Sequence, residues 1–238
     1  MGGCAVPQLV AEPSGRPPLL REFCAENVEL VPAALAAGAR RIELCDNLAV
    51  GGTTPSLGVI RAAAALAHAS NATVMCMIRP RGGNFVYTPE EVAIMHDDLL
   101  AAKREGVDGV VFGCLTAEGQ LDQELIMELA ALAHEPSPEA PKGIAVTFHM
   151  AFDALAEKDQ LAAIDWLASQ GIDRILTHGG PAGTPIADNI GRIQAFIERA
   201  SGRLTILPGG GITWENVEAI AATLNVREVH GTKIVRLG

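Results

Sequence analysis

Eight short apolar runs of strand character alternate with stretches of helical periodicity along this chain, and that alternation restricts its fold more than any other feature. The strands are expected at 19–25, 41–45, 73–79, 109–115, 143–149, 174–177, 204–207 and 228–234. Helices are expected at 28–37, 57–68, 89–106, 123–134, 158–170, 190–200 and 214–224. Glycines stop several of them, and Thr88-Pro89-Glu90-Glu91 opens one as a capping box with proline at the first helical position. The proline-rich stretch 135–142 reads as a surface loop, because the alternation resumes at once. Eight strands, each but the last followed by a helix, describe a TIM-type (β/α)8 barrel lacking its final helix. A doubly wound open sheet is the rival, but it concentrates its glycines in one dominant turn, whereas here they follow most strands. The uncovered groove left by the missing helix points to a partner subunit, so a homo-oligomer is expected.

The 238 residues suit one such barrel at 19–238, and no second domain is needed. Residues 1–18, with Pro7, Pro13, Gly15, Pro17 and Pro18, read as a disordered lead-in rather than a signal segment. Gly2 lacks the Ser or Thr at position 6 that myristoylation wants, since Val6 stands there. No apolar stretch is long enough to span a bilayer. The formal charge of −10 and the absence of any basic run argue against nucleic acid and acidic membranes as partners. Five cysteines, mostly on expected strands, fit reduced thiols in the cytoplasm.

Side chains alternate along a strand, so one polar residue per strand fixes which set faces the barrel interior. On the first two strands Phe23, Ile42 and Leu44 suit the layer beneath the helices. Glu22, Cys24, Glu43 and Cys45 then point inward together, and the two thiols can meet near the mouth. On the third strand Arg79 carries Met75 and Met77 inward, on the fifth His149 carries Thr147, and on the eighth His230 is the polar residue. Charges at this depth must be paired. They constitute either an interior salt-bridge network in a barrel with 4% aromatic residues, or a site at the end of the barrel where such folds carry function. Cys4, Cys76 and Cys114 read as structural thiols.

The segments Arg41-Ile42-Glu43-Leu44-Cys45, Gly51-Gly52-Thr53-Thr54-Pro55-Ser56-Leu57-Gly58 and Ile78-Arg79-Pro80-Arg81-Gly82-Gly83 resemble the CutC copper homeostasis proteins. So do Val146-Thr147-Phe148-His149, Ala151-Phe152-Asp153, Arg174-Ile175-Leu176-Thr177 and Pro208-Gly209-Gly210-Gly211-Ile212, in order and with compatible spacing. The resemblance implies a cytoplasmic TIM barrel associated with copper, with Cys24 and Cys45 as ligands of Cu(I). Thiolate and thioether are the preferred ligands of that soft ion, so Met75 or Met77 could add a weak contact. The chain departs from the family at Met150, where Arg is usual, at His178, where Ser is usual, and at Gly231-Thr232-Lys233. It also lacks the family's longer C-terminal tail.

A metal carrier does not need the rest of this mouth. A second reading is an enzyme acting on a small anionic or phosphorylated metabolite, with His149, Glu43 or Asp153 as acid or base. Glu22, Arg79, Arg81, Thr177, Gly210, Gly211 and His230 would then hold the substrate, the glycines offering backbone N–H groups to an anion. The bland account of those glycines is that they make tight turns. No nucleotide cofactor is expected, and a scaffold that binds a partner along its uncovered flank has no specific residue in its favour.

Overall fold

The structure is a computed structural model, and it describes residues 18–181 and 183–238. The expected lead-in, Pro18 apart, and Cys4 lie outside the described residues. Eight parallel strands form the sheet: β1 (Leu20–Glu26), β2 (Arg41–Cys45), β3 (Thr73–Met77), β4 (Gly109–Phe112), β5 (Ala145–Phe148), β6 (Arg174–Thr177), β7 (Thr205–Pro208) and β8 (Glu228–Gly231). Between them run α1 (Val31–Ala36), α2 (Leu57–Ala69), α3 (Pro89–Arg104), α4 (Gln123–His134), α5 (Glu157–Ser169), α6 (Ile190–Ala200) and α7 (Val217–Leu224). From β1 to β7 the strands pair in sequence order and β1 also pairs with β8, so the order is β7-β6-β5-β4-β3-β2-β1-β8. β7 and β8 lie in contact and close the barrel, with no ladder between them among the described residues. This is the TIM-type barrel that the alternation predicts, with no eighth helix among the described residues.

Differences from the expected boundaries sit at the mouth and have local causes. β3 ends at Met77 rather than Arg79 because the Arg79 N–H turns to the Thr54 hydroxyl, 2.9 Å away, instead of continuing the ladder. Asn27 in the left-handed region (φ 61°) makes a turn that delays α1 to Val31. At the other end, Trp214 donates to the Lys233 carbonyl at 2.7 Å, which holds 213–216 in a turn and starts α7 at Val217. The capping box forms as expected: Thr88 Oγ1 accepts from Glu91 N–H (3.3 Å) and Glu91 Oε2 accepts from Thr88 N–H (2.9 Å).

The strands divide the apolar residues into two cores. Phe23, Ile42, Leu44, Val74, Phe112 and Phe148 pack between sheet and helices. Cys24, Cys45, Met75, Met77 and Val111 form a separate, smaller core inside the barrel. Gly109 makes room for it, since a Cβ at that position would collide with Met75 Cε and Sδ. Ile234 and Val235 beyond β8 are buried and Leu237 packs on the outer core, so the chain's own tail covers part of the missing helix's place. A hollow of about 560 Å³ lies at the C-terminal ends of β1 and β8, lined by Val28, Leu30, Leu48 and Thr232 among others.

Candidate functional site

The barrel interior is charged from its floor to its mouth. At the floor Arg41, on the inward side of β2, donates to Glu22 and, at 2.6 Å, to Glu228. Arg174 on β6 joins Glu228 at 2.8 Å. Glu22 is almost completely buried and also receives His230 Nδ1 at 2.8 Å. Burial raises its carboxyl, but Arg41 and His230 outweigh that and hold it at about 2. Burial likewise disfavours the His230 imidazolium, yet Glu43, Cys24 and Glu22 push its pKa well above the usual range. His230 is therefore a cation at neutral pH, held between two carboxylates.

Above it, His230 Nε2 stands 3.7 Å from Glu43 Oε2, and the Cys45 thiol lies 3.7 Å from the same oxygen. Ligand atoms of Cys24, Glu43 and His230 all fall within 4.8 Å of one another. The Cys45 thiol beside Cys24, with burial and Glu43, raises the Cys24 pKa well above that of a free thiol. The hydrogen bond with Cys24 lowers Cys45, but burial, Glu43 and Cys76 outweigh it and leave it at about 11. Burial also raises Glu43, with His230 opposing. Both thiols are thus protonated at neutral pH. Gly52, at φ 87°, closes over this cluster; a Cβ there would come within 3.2 Å of Cys45 Sγ.

Beside this cluster, past the end of β3, Arg79 is buried and fixed by three carbonyls: Val50 (3.1 Å), Gly52 (3.0 Å) and Gly83 (2.8 Å). Its guanidinium stands 5.0 Å from the centre of the Phe85 ring, which in turn lies 5.0 Å from the His149 ring. His149 caps the 3-10 turn Met150–Ala154, where its Nδ1 accepts from Ala151 N–H at 3.1 Å. Burial and the nearby Arg79 depress His149 to about 3, so the ring is neutral. Cys24, Glu43, Cys45, Arg79, His149 and His230 share one cavity of about 380 Å³. Phe85 and Met150 separate it from a second, of about 700 Å³, lined by Asp153, His178, Gly210 and Gly211.

The fold therefore brings Cys24, Cys45, Glu43, His230, Arg79 and His149 together, with Glu22 beneath them. It places Gly210, Gly211 and Asp153 in the neighbouring cavity. Asp153 accepts from the Thr177 hydroxyl and, at 2.8 Å, from His178 N–H, so both Asp153 and the buried Thr177 are engaged in holding the end of β6. Arg81 turns away from the mouth to Glu91 (2.5 Å) and three loop carbonyls. Arg41, Glu228 and Arg174 were not singled out from the sequence, although Arg41 shares the parity of Glu43. Phe85 comes from a loop, where no periodicity marks it. Met150 and His178, two of the departures from the family pattern, both stand on cavity walls.

Fold and site together define a TIM barrel with a buried cysteine–carboxylate–histidine cluster at its mouth. The family model described as the CutC family matches residues 19–235, and the chain belongs to that family. It is 56% identical over 217 residues to a CutC family protein of Enterococcus faecalis, covering 91% of this chain and 100% of that one. It is 41% identical over 211 residues to the human copper homeostasis protein cutC homolog, covering 89% and 72%. The crystal structure of a putative copper homeostasis protein CutC from Streptococcus agalactiae superposes with a TM-score of 0.83 at 45% identity, covering 91% and 100%.

Proposed function

We propose that this chain takes part in copper homeostasis in the cytoplasm by binding Cu(I) through Cys24 and Cys45. The observation that carries the reading is the soft cluster inside the mouth, where both thiols pack with Met75 and Met77 and both line one cavity. The donor set fits a metal: Glu43 Oε1 is buried without a hydrogen-bond partner among the described residues, beside Cys24 and His230. Thiols with raised pKa values must lose protons as they bind the ion, and the imidazolium of His230 offsets the negative charge that results. None of the described helices is long and apolar enough to cross a membrane.

Anaerobic titration with Cu(I) against a competing chelator tests this. Saturation near one equivalent is expected, abolished in the Cys24→Ser/Cys45→Ser double variant; unchanged binding in that variant overturns the ligand assignment. Assembly as a homo-oligomer belongs to the same reading, supported by the hollow at the ends of β1 and β8 and by the 43% exposed Trp214. Light scattering of the purified chain at the monomer mass would remove that part.

A further inference from the structure

We infer that the mouth also binds a small organic carboxylate, seated between Arg79 and His149. Arg79 is only 4% exposed, and its three hydrogen bonds go to neutral carbonyls. Among the described residues no carboxylate lies within ion-pairing distance of it, although Arg41, the other buried arginine among them, is paired with both Glu22 and Glu228. A guanidinium out of water without an anion is costly, so the position calls for one. Glu43 lines the same cavity, but its Oε2 already faces the His230 cation.

The two unsatisfied donors specify what the anion looks like. Arg79 Nε is buried with no partner, and so is His149 Nε2. Because His149 Nδ1 accepts from Ala151 N–H, the neutral ring must carry its proton on Nε2, which makes that atom a donor. An N–H from a guanidinium and an N–H from a neutral imidazole, both groups about 5.0 Å from the Phe85 ring centre, match oxygens that share a negative charge. Glu43, His230 and the two thiols line part of the cavity, and Phe85, Met77, Met150 and Leu176 supply an apolar part of its wall. A cavity of about 380 Å³ has room for a carbon body as well as the carboxylate, and the larger cavity continues it past Phe85 and Met150. An organic acid suits that wall better than a bare, fully hydrated oxyanion.

The test uses the full chain, reduced and free of copper, titrated calorimetrically with acetate, pyruvate, phosphate and sulfate. Saturable binding of a carboxylate is expected, weakened about tenfold or more in His149→Phe, which lacks the N–H, and retained in His149→Gln, which can restore one. Arg79→Gln should abolish it; should that variant not fold, because Arg79 also ties three loops, the two His149 variants decide. The Cys24→Ser/Cys45→Ser protein should bind the carboxylate as the wild type does, which separates this site from the copper reading. Absence of any saturable carboxylate response, equal affinity in His149→Phe, or tighter binding of phosphate or sulfate than of either carboxylate would overturn the inference.

Discussion

The floor and the mouth of this barrel are built from the same kinds of side chain, yet the floor pairs its charges with one another and the mouth leaves more of its polar atoms open. At the floor Arg41, Glu22, Glu228 and Arg174 pair with one another in a continuous run of alternating charge. At the mouth Glu43 Oε1, Arg79 Nε and His149 Nε2 are equally buried and have no partner among the described residues. Buried polar groups are ordinarily satisfied; at the floor Nη1 of Arg174 lacks a partner, but its guanidinium is already paired with Glu228, whereas the mouth leaves atoms of three groups open. The floor consolidates β1, β2, β6 and β8. The mouth holds donors and acceptors ready for something outside the chain.

The severest test of that contrast removes a cation from the floor. Arg41→Met leaves the buried Glu22 and the half-buried Glu228 without their shared cation, with only Arg174 still on Glu228 and His230 on Glu22. Loss of about 3–5 kcal/mol in urea denaturation is expected. A loss below about 1 kcal/mol would show that the floor is not the structural half of the interior.

Acid separates the two ends by the pH at which each gives way. His149 is depressed to about 3 from an ordinary 6.5, so the unfolded chain takes up its proton first. Its contribution to stability is present above pH 6.5 and declines as pH falls toward about 3. Glu22 is held at about 2 against an ordinary 4.5, so its contribution is intact above pH 4.5 and declines as pH falls toward about 2. Denaturation midpoints followed from pH 7 downward should therefore begin to drop near pH 6.5 and steepen below 4.5. In His149→Gln the upper part of the decline should flatten while the lower part stays. A profile unchanged by that substitution would remove His149 as the buried neutral histidine of the mouth.

Much of this division was legible in the sequence, because strand parity needs only one polar residue per strand. Glu22, Cys24, Glu43, Cys45 and His230 follow from it directly, and so does Arg41, two residues before Glu43, once the same rule is carried to the bottom of the strand. Parity turns Arg79 inward with Met75 and Met77, and it does face the cavity, although the ladder ends before it. Past the strand ends parity fails: Arg81, a second candidate for the anion, lies in the loop beyond and turns out to Glu91. Phe85 and Met150, which divide the mouth into two cavities, belong to loop and 3-10 segments whose side-chain directions no simple period encodes.

A substitution of smaller effect tests whether His149 is held in place by packing. Gly113 follows β4, and a Cβ there would collide with the His149 ring and crowd Ala151. Gly113→Ala should cost about 1–3 kcal/mol through overpacking. It should also weaken carboxylate binding while leaving Cu(I) affinity intact, since the thiols lie on other strands. Equal loss of both ligands would mean that the two sides of the mouth are one site.

The smallest effect expected distinguishes the two interior methionines. Met77 lines the mouth cavity with Cys24 and Cys45, whereas Met75 lies one inward position lower and rests across Gly109. Met→Leu at either position conserves volume, so stability should change by less than about 1.5 kcal/mol in both. Only the upper sulfur is placed to touch an ion held by the thiols. Cu(I) affinity measured by chelator competition should fall a few-fold in Met77→Leu and stay unchanged in Met75→Leu. The reverse order would place the ion deeper in the barrel, toward Glu43 and the floor, and would move the boundary between the paired and the unpaired interior with it.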